Sequence, residues 1–271
     1  MRQTAAVLEC VVNVSEGRRL EAVAEVRRLV GPDVLDVHSD AYHHRSVFTM
    51  VGTEAPRALA RAVVGRFDLR LHEGVHPRIG IVDVVPFVPL DGASMAGALA
   101  ARDDFARWAA DELGIPSFFY GPERDLPEIR RRAFVDLAPD VGPRDPHPTA
   151  GAICAGAREV LVAYNVWLAD TTLADARRIA RDLRSREVRT LALACGPHLQ
   201  VSMNLIAPDR VGPAVVFDAV AARAPVARAE LVGLVPARVL AAVPKARWGE
   251  LDLGADRTIE RRLAECAAAR G

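Results

Sequence analysis

Histidine titrates near neutral pH, and five of the seven histidines of this chain fall between residues 38 and 76: His38, His43, His44, His72 and His76. Clustering of this kind suits either a metal site or a proton-transfer site. His72 and His76 have the four-residue separation of a helical zinc pair, but Gly74 and Pro77 break a helix there, so no metal is expected. His43 and His44, on a polar loop, read more readily as a solvated pair than as ligands. His76 differs from these. It precedes Pro77 and Arg78 at the entry to a strongly apolar run, 79–88, so its backbone is constrained. With an ordinary pKa of about 6.5 it would suit general acid–base work. Taken alone, the same feature also fits a surface-loop histidine.

Other chemistries lack their marks. There is no GxSxG elbow, and Ser15, Ser94 and Ser202 have no evident base partner. Neither a Walker loop nor GxGxxG is present, which disfavours nucleotide use. Arg130-Arg131-Arg132 reads as a solvated helix face, without the interleaved aromatics of a single-strand binder. Thirty-five cationic side chains balance 35 acidic ones, which excludes a generally basic nucleic-acid binder. Lys245 is the one lysine among those cations, a bias of composition rather than of function. Cys10, Cys154, Cys195 and Cys266 lie far apart without a CxxC pair or a secretory leader, so free buried thiols are expected. No apolar run approaches the roughly 20 residues of a membrane span. A soluble, cytoplasmic, globular protein is the expectation, and 51% hydrophobic residues suffice for real cores.

The elements that must position these residues follow from hydrophobic periodicity. Strands are expected at 7–14, 34–37, 46–51, 79–88 and 116–120, and helices at 18–30, 54–67 and 94–113. Ser94 is the N-cap of the last helix and Gly114 its stop. A second series has strands at 160–168, 188–194, 199–206 and 226–233, with helices at 171–187 and 212–223. Each series runs strand-helix-strand-strand-helix-strand, the ferredoxin-like order. The expected class is therefore α/β (α+β), with two βαββαβ subdomains, 1–157 and 158–271, and a ligand groove between their sheets. Between the series lies a stretch, 138–151, with four prolines. It fits an interdomain linker, and equally a preset backbone whose exposed N–H groups meet a planar or anionic ligand.

Several motifs go further. Glu9-Cys10-Val11-Val12-Asn13-Val14-Ser15-Glu16-Gly17 resembles ECVPNFSEG, the opening of the formiminotransferases. Gly74-Val75-His76-Pro77-Arg78-Ile79-Gly80 and Asp83-Val84-Val85-Pro86-Phe87-Val88-Pro89 resemble GEHPRMG and DVCPFIPV of the same family. Further matches, Ala163-Tyr164-Asn165 and Gln200-Val201-Ser202-Met203-Asn204-Leu205 among them, keep the family order to residue 236. The resemblance implies transfer of a formimidoyl group from N-formimidoyl-L-glutamate to N5 of tetrahydrofolate in histidine breakdown. It also implies small-molecule substrates, no metal and a homodimer, with no cyclodeaminase part following this domain. His76 corresponds to the catalytic histidine of the family. The folate-contacting stretch maps to Gly142-Pro143-Arg144-Asp145-Pro146-His147-Pro148-Thr149-Ala150-Gly151. Arg45 and Arg78 are the arginines expected to meet substrate carboxylates.

Three neighbours of the site depart from the family. Val75 stands where the family has Glu, His38 ends its DVD run, and His44 replaces Asn in its Asn-Arg pair. Loss of a carboxylate beside His76 removes a group able to raise its pKa. Either His38 shares the proton transfer, with His44 at the substrate, or the donor has changed.

Overall fold

The computed structural model describes residues 6–270. The chain forms two compact units, Met1–Glu159 and Val160–Gly271. In the first, β1 (Leu8–Val14), α1 (Leu20–Val30), β2 (Val34–Asp40), β3 (Arg45–Val51), α2 (Glu54–Val63) and β4 (Val82–Pro89) build one βαββαβ module. It continues through α3 (Met95–Leu113), β5 (Ser117–Tyr120), α4 (Leu126–Arg132) and β6 (Ile153–Ala157). The six strands order as β2-β3-β1-β4-β6-β5. Pairings among the first four are antiparallel, whereas β6 runs parallel to both β4 and β5.

Alternation along the strands sets which face is core. Cys10, Val12 and Val14 of β1 are fully buried with Phe48, Met50 and Phe87, against Val26, Leu59, Val63 and Phe105 of the helices. Burying each large apolar side chain contributes about 1.5–3 kcal/mol. The intervening residues of β1, Glu9, Val11 and Asn13, face the other side. Ser94 caps α3 by accepting from the Gly97 amide, and Gly114 ends it at φ +65°, as expected from the sequence.

The second unit repeats the order with β7 (Val162–Leu168), α5 (Leu173–Leu183), β8 (Val188–Cys195), β9 (His198–Leu205), α6 (Pro213–Ala221) and β10 (Val226–Val232), then α7 (Ala237–Ala241) and α8 (Ile259–Arg270). Its sheet orders as β10-β7-β9-β8. Numbered within each module, both sheets run 4-1-3-2, so the duplicated ferredoxin-like architecture is present in topology.

One expectation is corrected. The Pro-rich stretch does not join the two units. The chain passes through it and returns as β6 into the first sheet, between β4 and β5. Every residue of Ile153–Ala157 is buried, as in a parallel strand covered on both faces, so no polar alternation announces it.

Candidate active site

The site grows from the end of β1. The Ser15 amide donates to the Ile81 carbonyl at 2.8 Å and its hydroxyl to the Gly80 carbonyl at 2.7 Å, which ties the 15–17 turn to the entry of β4. Glu16 is buried, and its Oε1 accepts from the amides of Arg18 (2.9 Å) and Arg19 (3.0 Å). Burial alone would raise its pKa. The amide bonds and the Arg19 guanidinium outweigh that and bring it down to about 2. Gly17 brings two backbones into contact: a Cβ there would lie 2.3 Å from the Asp40 carbonyl oxygen and 2.4 Å from the Arg45 amide nitrogen. The β2–β3 hairpin thus closes on the turn and delivers Arg45.

Arg45 is the centre of the cluster. Its Nε donates to Asn13 Oδ1 at 3.0 Å, and its Nη1 reaches both His76 Nδ1 at 2.9 Å and Asp83 Oδ2 at 3.0 Å. Asp83 has no solvent exposure, and its Oδ2 also accepts from Arg130 Nη2 at 2.7 Å. A register shift explains its aim: Asn13 pairs with Val84 and Val14 with Val82, so Asp83 is the extra residue of a β-bulge. Arg130 Nη1 donates to the Pro77 carbonyl. His76 is therefore held among Arg45, Arg130 and the ring of His43, whose centroid is 5.8 Å away. Its expected pKa of about 6.5 does not hold. Burial first, then the charges of Arg45 and Arg130, push it down to about 2, with the Pro77 carbonyl pulling the other way. The resting ring is neutral at physiological pH.

The loop carrying His76 is a folded strap. Although 72–76 spells His-Glu-x-x-His, it is not helical. His72 Nε2 bonds the His44 carbonyl at 2.6 Å, and its ring stacks on that of His44 at 4.1 Å. Among the described residues no group of three His, Cys, Asp or Glu side chains is placed to hold a metal. Arg78 spends its fork on the strap, with Nη2 on the His72 carbonyl at 2.6 Å and Nη1 on that of Gly74 at 3.2 Å. His44 sits at φ +50° with Nε2 on Glu16 Oε1 (3.0 Å) and Nδ1 on the Glu73 carbonyl (2.9 Å). Arg78 and His44 are thus engaged within the protein, whereas Arg45 touches His76 itself. Val75 is 46% exposed.

Of the remaining sequence-derived residues, His38 lies on β2 opposite Val47, which in turn pairs with Asn13. The ring beside His76 is that of His43, not one expected from the sequence. The segment 142–151 is exposed from Gly142 to Pro146 and closes in a tight turn. There His147 and Gly151 exchange two 2.9 Å backbone bonds, and His147 Nδ1 accepts from the Ala150 amide at 3.0 Å. The Ala150 carbonyl takes the Ile81 amide at 2.9 Å, so the segment abuts the strand that carries Asp83. Arg130, expected to be solvated, keeps only 14% of its side chain exposed. Asp83 had one visible signal, a lone carboxylate inside an apolar strand.

The family model of the formiminotransferase domain, N-terminal subdomain, matches residues 7–158, more than half of the chain. Glutamate formimidoyltransferase of Streptococcus pyogenes serotype M1 is 35% identical, the match covering 87% of this chain and 91% of that protein. Its counterpart in Thermoplasma acidophilum is 34% identical over 88% and 91% of the two chains. The formimidoyltransferase-cyclodeaminase of Sus scrofa is 34% identical over 86% of this chain and 51% of its own length. These matches lead to one conclusion: the chain belongs to the formiminotransferase family.

Proposed function

We propose that this protein transfers the formimidoyl group of N-formimidoyl-L-glutamate to N5 of tetrahydrofolate, in histidine degradation, with His76 carrying the proton. The observation that supports the reading most is the fixed ring of His76. Its Nδ1 is held from inside the protein, and its Nε2 has no partner among the described residues and is not shut off from solvent. A ring fixed at one nitrogen and open at the other is suited to take a proton from the attacking amine and return it to the leaving one. Arg45 offers Nη2, the terminal nitrogen with no acceptor among the described residues, to a donor carboxylate. His38, His44 and Arg78 complete the donor end of the reading, the last two by fixing the strap.

The folate end falls to 142–151. The exposed backbone of Gly142 through Pro146 and the cation of Arg144 fit a planar, carboxylate-bearing co-substrate. Most of the rate would come from holding two small molecules together. A homodimer in the cytoplasm goes with this reading, as does the division into functional subdomains 1–157 and 158–271. No helix among the described residues is long and apolar enough to cross a membrane.

The exposed Val75 favours a second reading, in which the folate is kept and the amine donor differs. One experiment addresses both: formation of 5-formimidotetrahydrofolate from formimidoylglutamate and tetrahydrofolate, followed optically, beside calorimetry with the reduced folate. Turnover, with folate saturating in the micromolar range (about −8 kcal/mol), is the expected result. Folate binding without turnover would move the assignment to another donor. Absence of both would leave a paralogue that keeps only the fold.

A further inference from the structure

His76 Nδ1 lies between two partners that it cannot serve together. Arg45 Nη1, at 2.9 Å, has only hydrogens to offer, so that bond requires a bare lone pair on Nδ1. The Pro77 carbonyl oxygen, at 2.8 Å, has only lone pairs, so that bond requires a proton on Nδ1. Two states follow from the one geometry. With Arg45 engaged, the single ring proton sits on Nε2 and the open edge is a donor. With the Pro77 carbonyl engaged, the proton sits on Nδ1 and the open edge is a base.

We propose that a carboxylate ligand drives His76 from the first state to the second, with Arg45 as the residue that senses it and Arg130 as the residue that holds the resting state. A carboxylate gripped by Arg45 in fork geometry takes both terminal nitrogens, withdrawing Nη1 from His76. Arg130 acts on the competing partner: its Nη1 donates to the Pro77 carbonyl and its Nη2 to the Asp83 oxygen that also anchors Arg45. The change is balanced. Nε2 gives its proton to solvent, Nδ1 takes one from solvent as Arg45 withdraws, and the net charge of the ring is unchanged. The charged and titratable groups facing the ring are Arg45 from β3, Arg130 from α4 and His43 from the hairpin turn, with Asp83 of β4 joining the two arginines. The depressed pKa of the resting ring accords with the first state. A base formed only when the donor is in place would spare the site from protonation while empty. The proposal rests on the reading above that Arg45 meets the carboxylate of the donor.

Ring-nitrogen NMR of the full chain labelled with 15N-histidine tests it, with N-formyl-L-glutamate as the probe. In the free protein Nδ1 should appear bare and Nε2 protonated. At saturation with the probe the two resonances should exchange character, while the dimethyl ester of the probe should leave them unchanged. Arg130→Gln, by freeing the Pro77 carbonyl, should move the unliganded ring toward Nδ1–H. An Nδ1–H ring in the free wild type, an unchanged ring at saturation, or no binding of the probe at millimolar concentration would each overturn the proposal. Product formation is scored separately. Turnover with an unresponsive ring removes only the switch, and a responsive ring without turnover removes only the assigned reaction.

Discussion

Replacing Asp83 by Asn keeps the shape of the side chain and removes its charge. The carboxylate accepts from Arg45 at 3.0 Å and from Arg130 at 2.7 Å, both on Oδ2, and from the Ile79 amide on Oδ1 at 2.8 Å. Each bond to a charged group contributes about 1.5–3 kcal/mol. The amide oxygen of Asn either faces both arginines, turning its NH2 on the Ile79 amide, or faces that amide and turns its NH2 on the arginines, while Arg45 keeps Asn13 and Arg130 keeps the Pro77 carbonyl. Exposures of 11% and 14% also leave the two guanidinium groups some water. These offsets place the cost near 3 kcal/mol, the low end of about 3–5 for breaking a buried pair. With a urea slope of roughly 2–3 kcal/mol/M, the unfolding midpoint should fall by about 1 M. Trp108 packs beside Arg57 and Arg61 in the first unit and reports on it once Trp167 and Trp248 are replaced by Phe. A midpoint within about 0.2 M of the parent, at an unchanged slope, would refute the view that Asp83 holds two arginines by charge.

His76→Ala should lower kcat by roughly 100-fold or more, the scale general acid–base catalysis supplies; near-parental turnover would exclude the residue from the chemistry. Acidification should destabilise the fold in two stages. His76 and His72 have folded pKa values below their unfolded value of about 6.5, so the unfolded chain binds more protons as pH falls below it and stability drops, for His76 down to about pH 2. Glu16, at about 2 against an ordinary 4.5, adds a further loss below pH 4.5, of order 3 kcal/mol when complete. Urea midpoints from pH 7 to 3 should therefore decline throughout, and His76→Ala should flatten the upper part; a flat wild-type profile would contradict the assigned shifts. Gly17→Ala places a methyl against two backbone atoms that yield poorly, so it should cost about 1–3 kcal/mol and lower kcat by displacing Arg45. A stable variant with full turnover would show that the close approach is dispensable.

The eight strands and four helices of the two βαββαβ modules were legible because most bury one face, and a half-buried element writes its period into the sequence, while β4, buried along nearly its whole length, showed as a long apolar run. Ser94 and Gly114 mark the ends of α3, and Thr172 the start of α5, for local reasons of capping. His76 stood out through Pro77 and through its motif. What hid β6 was its brevity, five buried residues with no polar alternation, whereas α4, 7 residues long, showed only as the helix face of its arginines. The role of Arg130 was hidden differently. Within its run of three arginines all read alike, and only the packing of α4 beside β5, from which Arg130 reaches Asp83 of β4, turns one of them inward.

The sequence by itself determined the duplicated architecture and the family motifs, and it singled out His76, since each of these signals depends on neighbours within a few residues. Only the tertiary structure decided the electrostatic state of that histidine. Arg45, Asp83 and Arg130 lie 31, 7 and 54 positions from it in the chain, and meet it through a hairpin, a β-bulge and a helix. A pKa responds to desolvation and to charges within a few ångströms, and both are set by what the fold brings near rather than by what the chain places next.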